Sequence, residues 1–350
     1  MRKKKLNRLI QLSILSVGIT SQAAFAQSSV TLYGVLDAFV GAKKALGGES
    51  QVLAGSGGMT ASFWGMKGTE DLGGGLSAIF ELEGYINIMN GQFGRTGFPS
   101  DGLFSRNAFV GLKGNYGTVT AGWLTPPLWL SAIFFNPFFN SFVFSPMILQ
   151  TYVGVNGQGV FGDAGEWSNS VMYVSPQMGP FSGKAAYSFG NEAGHLGQNK
   201  WSGQLSYNMG GFAASAVWQQ VKFSITPGDL GTSLPGLTTQ SVMNIGVSDD
   251  FGVVKLFGQY QHIWDYDTTG NVGVNTGQLG FSIPVGQGHI LGSDAYSKSS
   301  GHSTVYRNTW ALGYDYSLSK RTDVYTAVLS DRATRRSSGY TVGGGLRTAF

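Results

Sequence analysis

Segment after segment of this 350-residue chain alternates an apolar with a polar side chain, and that period of two most narrows what it can become. In "FSGKAAYSFG", Phe181, Gly183, Ala185, Tyr187 and Phe189 fall on one parity, with Ser182, Lys184, Ala186 and Ser188 on the other. "WSGQLSYN" sets Trp201, Leu205 and Tyr207 against Ser202, Gln204 and Ser206. "TVYRNTWALGYDYS" sets Tyr306, Trp310, Leu312, Tyr314 and Tyr316 against Arg307, Thr309 and Asp315. The final "SGYTVGGGLRTAF" sets Tyr340, Val342, Leu346 and Phe350 against Thr341 and Arg347. A strand of this kind stands between two environments. A soluble sandwich also alternates. Here, however, the apolar sets are rich in Tyr, Phe and Trp near strand ends, as the interfacial girdles of a membrane barrel require.

The connections sharpen the choice. Tight turns are expected at "EDLGGG", "GNYG", "PQMGP", "NMGG", "DDFG", "PVGQG" and "SLSK". Longer segments fall near 43–60, 88–104, 124–166, 191–199, 223–239, 264–274, 298–303 and 331–338. Seven turns and eight loops give sixteen strands, the short-turn, long-loop pattern of bacterial barrels. The predicted fold class is all-β, a transmembrane antiparallel sixteen-stranded barrel. At that size the wall side chains cannot fill the lumen, so it holds water.

Composition agrees. Charged residues are 12% of the chain, against about 25% in soluble domains. Cysteine is absent, which excludes disulfides and thiolate chemistry. Residues 1–26 read as a cleaved export signal: Arg2, Lys3, Lys4, Lys5 and Arg8, then the apolar Leu9–Ile19, then Ala24-Phe25-Ala26. The barrel domain is then 27–350. Five of the 23 basic residues belong to that signal, so no basic stripe is left to argue for nucleic acid.

One stretch departs from alternation: "LWLSAIFFNPFFNSFVFSPMIL", Leu128 to Leu149, without a charged side chain. It is long enough to cross a bilayer as a helix. Pro137, Pro146 and the polar Asn136, Asn140, Ser141 and Ser145 argue against that. By loop order it lies in the third long segment.

At this point "SSVTLYGVLDAFVGA" (28–42), "GMKGTEDLGGGLSAIFELE" (65–83), "RNAFVGLKGNYGTVTAGW" (106–123), "NSVMYVSP" (169–176), "LSKRTDVYTA" (318–327) and "GLRTAF" (345–350) resemble the general porins of the β-proteobacterial outer membrane. The resemblance implies a homotrimer in outer-membrane lipid, lipopolysaccharide included. It implies a third loop folded into each lumen as the constriction, and a Phe350 read by the barrel-assembly machinery. It also implies passive passage of small hydrophilic solutes and ions.

Such porins commonly set wall arginines against acids on the third loop. This chain matches at Arg106 and departs at Phe63 and Trp123, where arginines are usual, and at Asn136, where an acid is usual. No Asp or Glu occurs between Asp101 and Asp163. The expectation is an apolar constriction of Phe63, Trp123, Trp129, Phe134, Phe135, Asn136, Phe138 and Phe139 that favours small aromatic or apolar solutes. Weak acids would be guided by Arg106, Lys184, Arg307 and Arg347. The competing expectation is that many of the aromatics only pin the loop to the wall, and that the basic side chains pair with acids such as Asp37, Glu81 or Asp315.

Two other classes stay in view. A barrel hydrolase needs a histidine with an acid and a nucleophile. The chain offers His195, His262, His289 and His302, with His262 near Asp265 the best candidate, but no nucleophile elbow or metal spacing. A structural or adhesive barrel usually adds a soluble domain, for which no residues remain. No cofactor, metal or catalytic residue is expected.

Overall fold

The computed structural model describes residues 29–95, 101–154, 159–160, 166–191, 199–223, 236–268, 270–301 and 303–350. The expected signal segment, His195 and His302 lie outside the described residues. The chain begins with β1 (Ser29–Lys44), β2 (Ser50–Ser56), β3 (Phe63–Gly73), β4 (Leu76–Asn87) and the short β5 (Gln92–Phe93). Then come β6 (Asn107–Gly114), β7 (Gly117–Leu124), two short helices, α1 (Pro127–Phe134) and α2 (Pro146–Tyr152), and β8 (Trp167–Val174). There follow β9 (Phe181–Ser188), β10 (Lys200–Met209), β11 (Phe212–Lys222), β12 (Leu237–Asp250) and β13 (Lys255–Asp267). The last five are β14 (Val272–Val285), β15 (Gly288–Ser300), β16 (Val305–Ser317), β17 (Thr322–Ala333) and β18 (Gly339–Ala349).

These segments form sixteen barrel strands. β2 and β3 run end to end along β1, with Ala38 opposite Ser56 and Val35 opposite Phe63, and count as one. β5 is a ribbon on β4 within the second long loop. Every strand pairing is antiparallel, and β18 pairs with β1 to close the sheet. All seven expected turns fall between the expected strands. The first expected loop, 43–60, is shorter than read. Ser50–Ser56 is strand, and the chain breaks its ladder only at 57–62. Asp37 makes that break possible: its carboxylate accepts the backbone N–H groups of Gly58, Met59 and Thr60 at 2.8–3.1 Å.

The faces follow parity. Leu279 is 74% exposed, whereas its neighbour Gln278 is 2% exposed and turned inward. Closure brings the chain's last residue against its first strand. The Phe350 N–H donates to the Gly34 carbonyl at 3.1 Å, and its own carbonyl accepts from Gly34 at 3.3 Å. A Cβ on Gly34 would stand 2.7 Å from the Phe350 ring, so only glycine fits there.

The uncharged stretch lies inside the barrel. α1 packs on β9–β12 and α2 on β14–β16. Pro127 and Pro146 each open a helix, where a missing N–H costs nothing, and Ser145 caps α2 by accepting from the Ile148 N–H. The prolines therefore divide the stretch into two short helices rather than forbidding helix altogether.

Candidate functional site: the lumen and its inward loop

The loop is seated by shape. Three inward glycines on alternate strands open sockets in the wall: Gly246 on β12, Gly280 on β14 and Gly313 on β16. A Cβ on Gly246 would meet the Phe135 ring at 2.4 Å, one on Gly280 would meet Pro137 at 2.7 Å, and one on Gly313 would meet Phe138 at 3.2 Å. Phe138 and Phe144 are fully buried against Phe39, Met59, Tyr325 and Leu329. Leu128 is equally buried against Val217, Val242 and Ile263. Each such side chain contributes roughly 1.5–3 kcal/mol toward holding the loop on the wall. Trp129 is buried too, stacked on Phe142 at 5.5 Å and edge-on to Tyr152 at 4.7 Å.

Asn136 is the polar pin of this segment. Its amide nitrogen donates to the carbonyls of Ala132 at 2.7 Å and Phe139 at 3.0 Å. Its amide oxygen accepts from the Phe138 N–H and the Ser145 hydroxyl, each at 3.0 Å. A carboxylate could not donate and would face two carbonyl oxygens, which explains an amide here rather than an acid. The Ser141 hydroxyl donates to the Gly58 carbonyl at 2.6 Å, tying the loop to the break in the second barrel strand.

Two aromatics escape this packing. Phe134 is 56% and Phe139 39% exposed, and their rings meet edge-on at 5.5 Å on the loop's water-facing side. Phe139 holds a left-handed backbone, φ 47°, which costs a bulky residue about 1–2 kcal/mol.

The basic residues divide similarly. Arg106 sits one residue before β6, and so escapes the strand's outward parity. Its guanidinium reaches the Glu83 carboxylate at 2.5 Å and lies 3.9 Å from the centre of the Phe63 ring. Glu83 also accepts from Tyr33 at 2.8 Å and Asn107 at 2.6 Å. Arg307 is buried, clasping both oxygens of Asp331, while its remaining nitrogen donates to the Leu149 and Val153 carbonyls at the end of α2. It thereby satisfies the orphan carbonyls of that helix. Arg347 bridges Asp315, Asp323 and Thr60. Lys184 faces inward and forms no ion pair with a described residue.

Trp123 does not join the others. It pairs with Ala108, on the outward parity of the 66% exposed Val110, and its indole donates to the Ser105 carbonyl. In the second loop, Arg95 clasps Asp101 at 2.8 Å and lies 3.8 Å from Glu166, which accepts from Tyr85. Burial opposes the Arg95 charge, yet these partners outweigh it and hold its pKa above the ordinary guanidinium value. Parity at Glu83, Asp331 and the inward glycines was readable from the sequence, but the partner of each basic residue depends on strand register.

A closed barrel with an apolar outside, a polar inside and a loop seated along part of its inner wall defines a transmembrane channel of the porin type. The profile of the Gram-negative porin family matches residues 13–335, and the chain belongs to that family. It is similar to outer membrane porin protein 32 of Delftia acidovorans, 34% identical over 327 residues, covering 91% of this chain and 87% of that one. It is 31% identical to the major outer membrane protein P.IB of Neisseria gonorrhoeae over 58% of this chain and 55% of that one. Among solved structures, an anion-selective porin from Comamonas acidovorans superposes with a TM-score of 0.76 at 28% identity, covering 92% of this chain and all of that one. OmpT of Vibrio cholerae in its trimer form gives 0.70 at 15% identity, covering 92% of this chain and 99% of that one, a likeness of fold. The protein is an outer-membrane porin, a passive diffusion channel and not an enzyme.

Proposed function

We propose that this porin passes small hydrophilic solutes and ions through a constriction with one apolar side, and that Phe134 and Phe139 give it a preference for solutes carrying a flat apolar group. The observation that carries this is the exposed ring pair on a strained backbone, set apart from neighbours that pack. Trp129, Phe135, Asn136 and Phe138 seat the loop, and Phe63 backs Arg106. Apolar pore linings weaken passage of bare ions relative to apolar faces. Arg307 and Arg347 act as structural ties, Arg106 is balanced by Glu83, and Lys184, without an ion pair among the described residues, contributes positive potential to the lumen.

The same reading includes partners. Three copies form the working assembly, in line with the trimer of the OmpT neighbour. Lipopolysaccharide phosphates meet the outward rim at Lys298, Tyr306 and Arg332, where Lys298 lies 5.7 Å from the Tyr306 ring. Phe350 serves as the terminal assembly signal.

The test is permeation into proteoliposomes of benzoate relative to lactate. A Phe134→Ser, Phe139→Gly double variant should lower that ratio about fivefold, the equivalent of roughly 1 kcal/mol of ring contact. An unchanged ratio refutes the apolar preference and leaves the channel itself standing.

A further inference from the structure

Two cavities open beside the inward loop near the long-loop end of β1, of about 150 and 290 Å³. They share Lys43, Phe142 and Val143. Lys43 has the inward parity of Asp37 and Phe39, stands opposite Thr341 and Gln51, and forms no ion pair or hydrogen bond with a described residue. The other lysine and arginines at the walls are Lys44, Arg95, Arg307 and Arg336. The one acid among the described residues lining either cavity, Asp331, has both oxygens held by Arg307. An ammonium half removed from water, without a counter-ion among the described residues and beside an aromatic ring stacked on Trp129, is a place where an anion with a flat apolar body gains on both ends.

We propose that Lys43 and Phe142 form an entry subsite for small aromatic carboxylates, placed between the outer mouth and the exposed Phe134–Phe139 pair. The carboxylate pairs with the Lys43 ammonium, and the ring lies against Phe142 and Val143. Partial exclusion of water strengthens the ion pair, and simple inorganic anions, lacking the ring, pass without being held. The subsite rests on the reading above that the lumen accepts solutes with aromatic faces.

The experiment is chloride current through purified protein in planar bilayers, with benzoate, acetate or neutral benzamide added on the long-loop side. Benzoate should reduce the current, and acetate and benzamide should not. In Lys43→Gln the half-blocking benzoate concentration should rise about tenfold, the worth of one partly desolvated pair. Phe142→Leu should also raise it, while keeping the apolar volume that seats the loop. Lys113→Gln, near the turns at the far end of the lumen, should leave block unchanged. Equal block in wild type and Lys43→Gln, with normal chloride current, overturns this subsite alone. No benzoate block in the wild type overturns the subsite as well, and a benzoate-to-lactate permeation ratio unchanged in the Phe134→Ser, Phe139→Gly double variant separately overturns the reading beneath it.

Discussion

The two sides of the inner wall are made of different chemistry. Beneath the loop, β11–β14 turn Gln219, Gln240, Asn244, Gln259, Gln261 and Gln278 inward, and all are buried. Across the lumen, β3, β4 and β6 offer Lys67, Glu81 and Lys113 to water. A charge under the loop would be stripped of solvent without a partner, whereas an amide can give and take hydrogen bonds with loop backbone. The Gln259 amide donates to the Ala132 carbonyl and the Gln240 amide to the Gly159 carbonyl, each at 3.0 Å. The covered wall is therefore a cradle made mostly of amides, in which the buried carboxylate of Asp265 accepts from the Gln240 amide at 2.6 Å, and the charged wall is the one that solutes meet. Where charge is needed beneath the loop, as at Arg307, it arrives with its own carboxylate.

That contrast can be broken most forcefully at Gln259. Replacing it with Glu places an unpaired carboxylate against the Ala132 carbonyl, a cost of about 3–5 kcal/mol. The loop should lift, seen as a larger and noisier single-channel conductance and as protease cleavage within 125–153. The same test at Ser77, on the open wall, should change neither. Next in size is Phe138→Ala, which empties the Gly313 socket at about 3 kcal/mol. It should lower the thermal midpoint of the folded barrel or loosen the loop by the same two readouts, whereas Phe134→Ala should leave both near wild type. The smallest effect belongs to Lys67→Gln on the solvated wall. It should shift the reversal potential slightly toward cations at about 0.1 M salt and lose that shift near 1 M, because exposed charges are screened.

Much of the barrel could be read in one dimension. Strand parity depends only on neighbours in sequence, so Tyr306 and Arg307 declare their faces at once, and turns announce themselves through Gly, Asn and Pro. The second barrel strand was harder: "AGSGGMTAS" has no apolar alternation, because residues 57–62 leave the ladder to meet Asp37. The third long segment is legible as the inward loop, but which of its side chains pack and which face water is not. Phe134 and Phe135 are adjacent and look alike, but one faces water and the other fills a glycine socket. Only the rotation of α1 separates them. The pairing of Arg106 with Glu83, and of Arg307 with Asp331, joins residues 23 and 24 positions apart and needs the register of the sheet. The inward amides of β11–β14 carry a signal of their own, since an uncharged polar parity already marks a wall that something will cover.

The closure of β18 on β1 sets residue 35 beside residue 349. Until that contact forms, every intermediate carries two unpaired strand edges, each a template for another chain. Contacts so distant in sequence also form late and slowly. The polypeptide must therefore spend its assembly time in an adhesive condition, and its survival during that interval depends on being escorted rather than on any stability the finished cylinder will have.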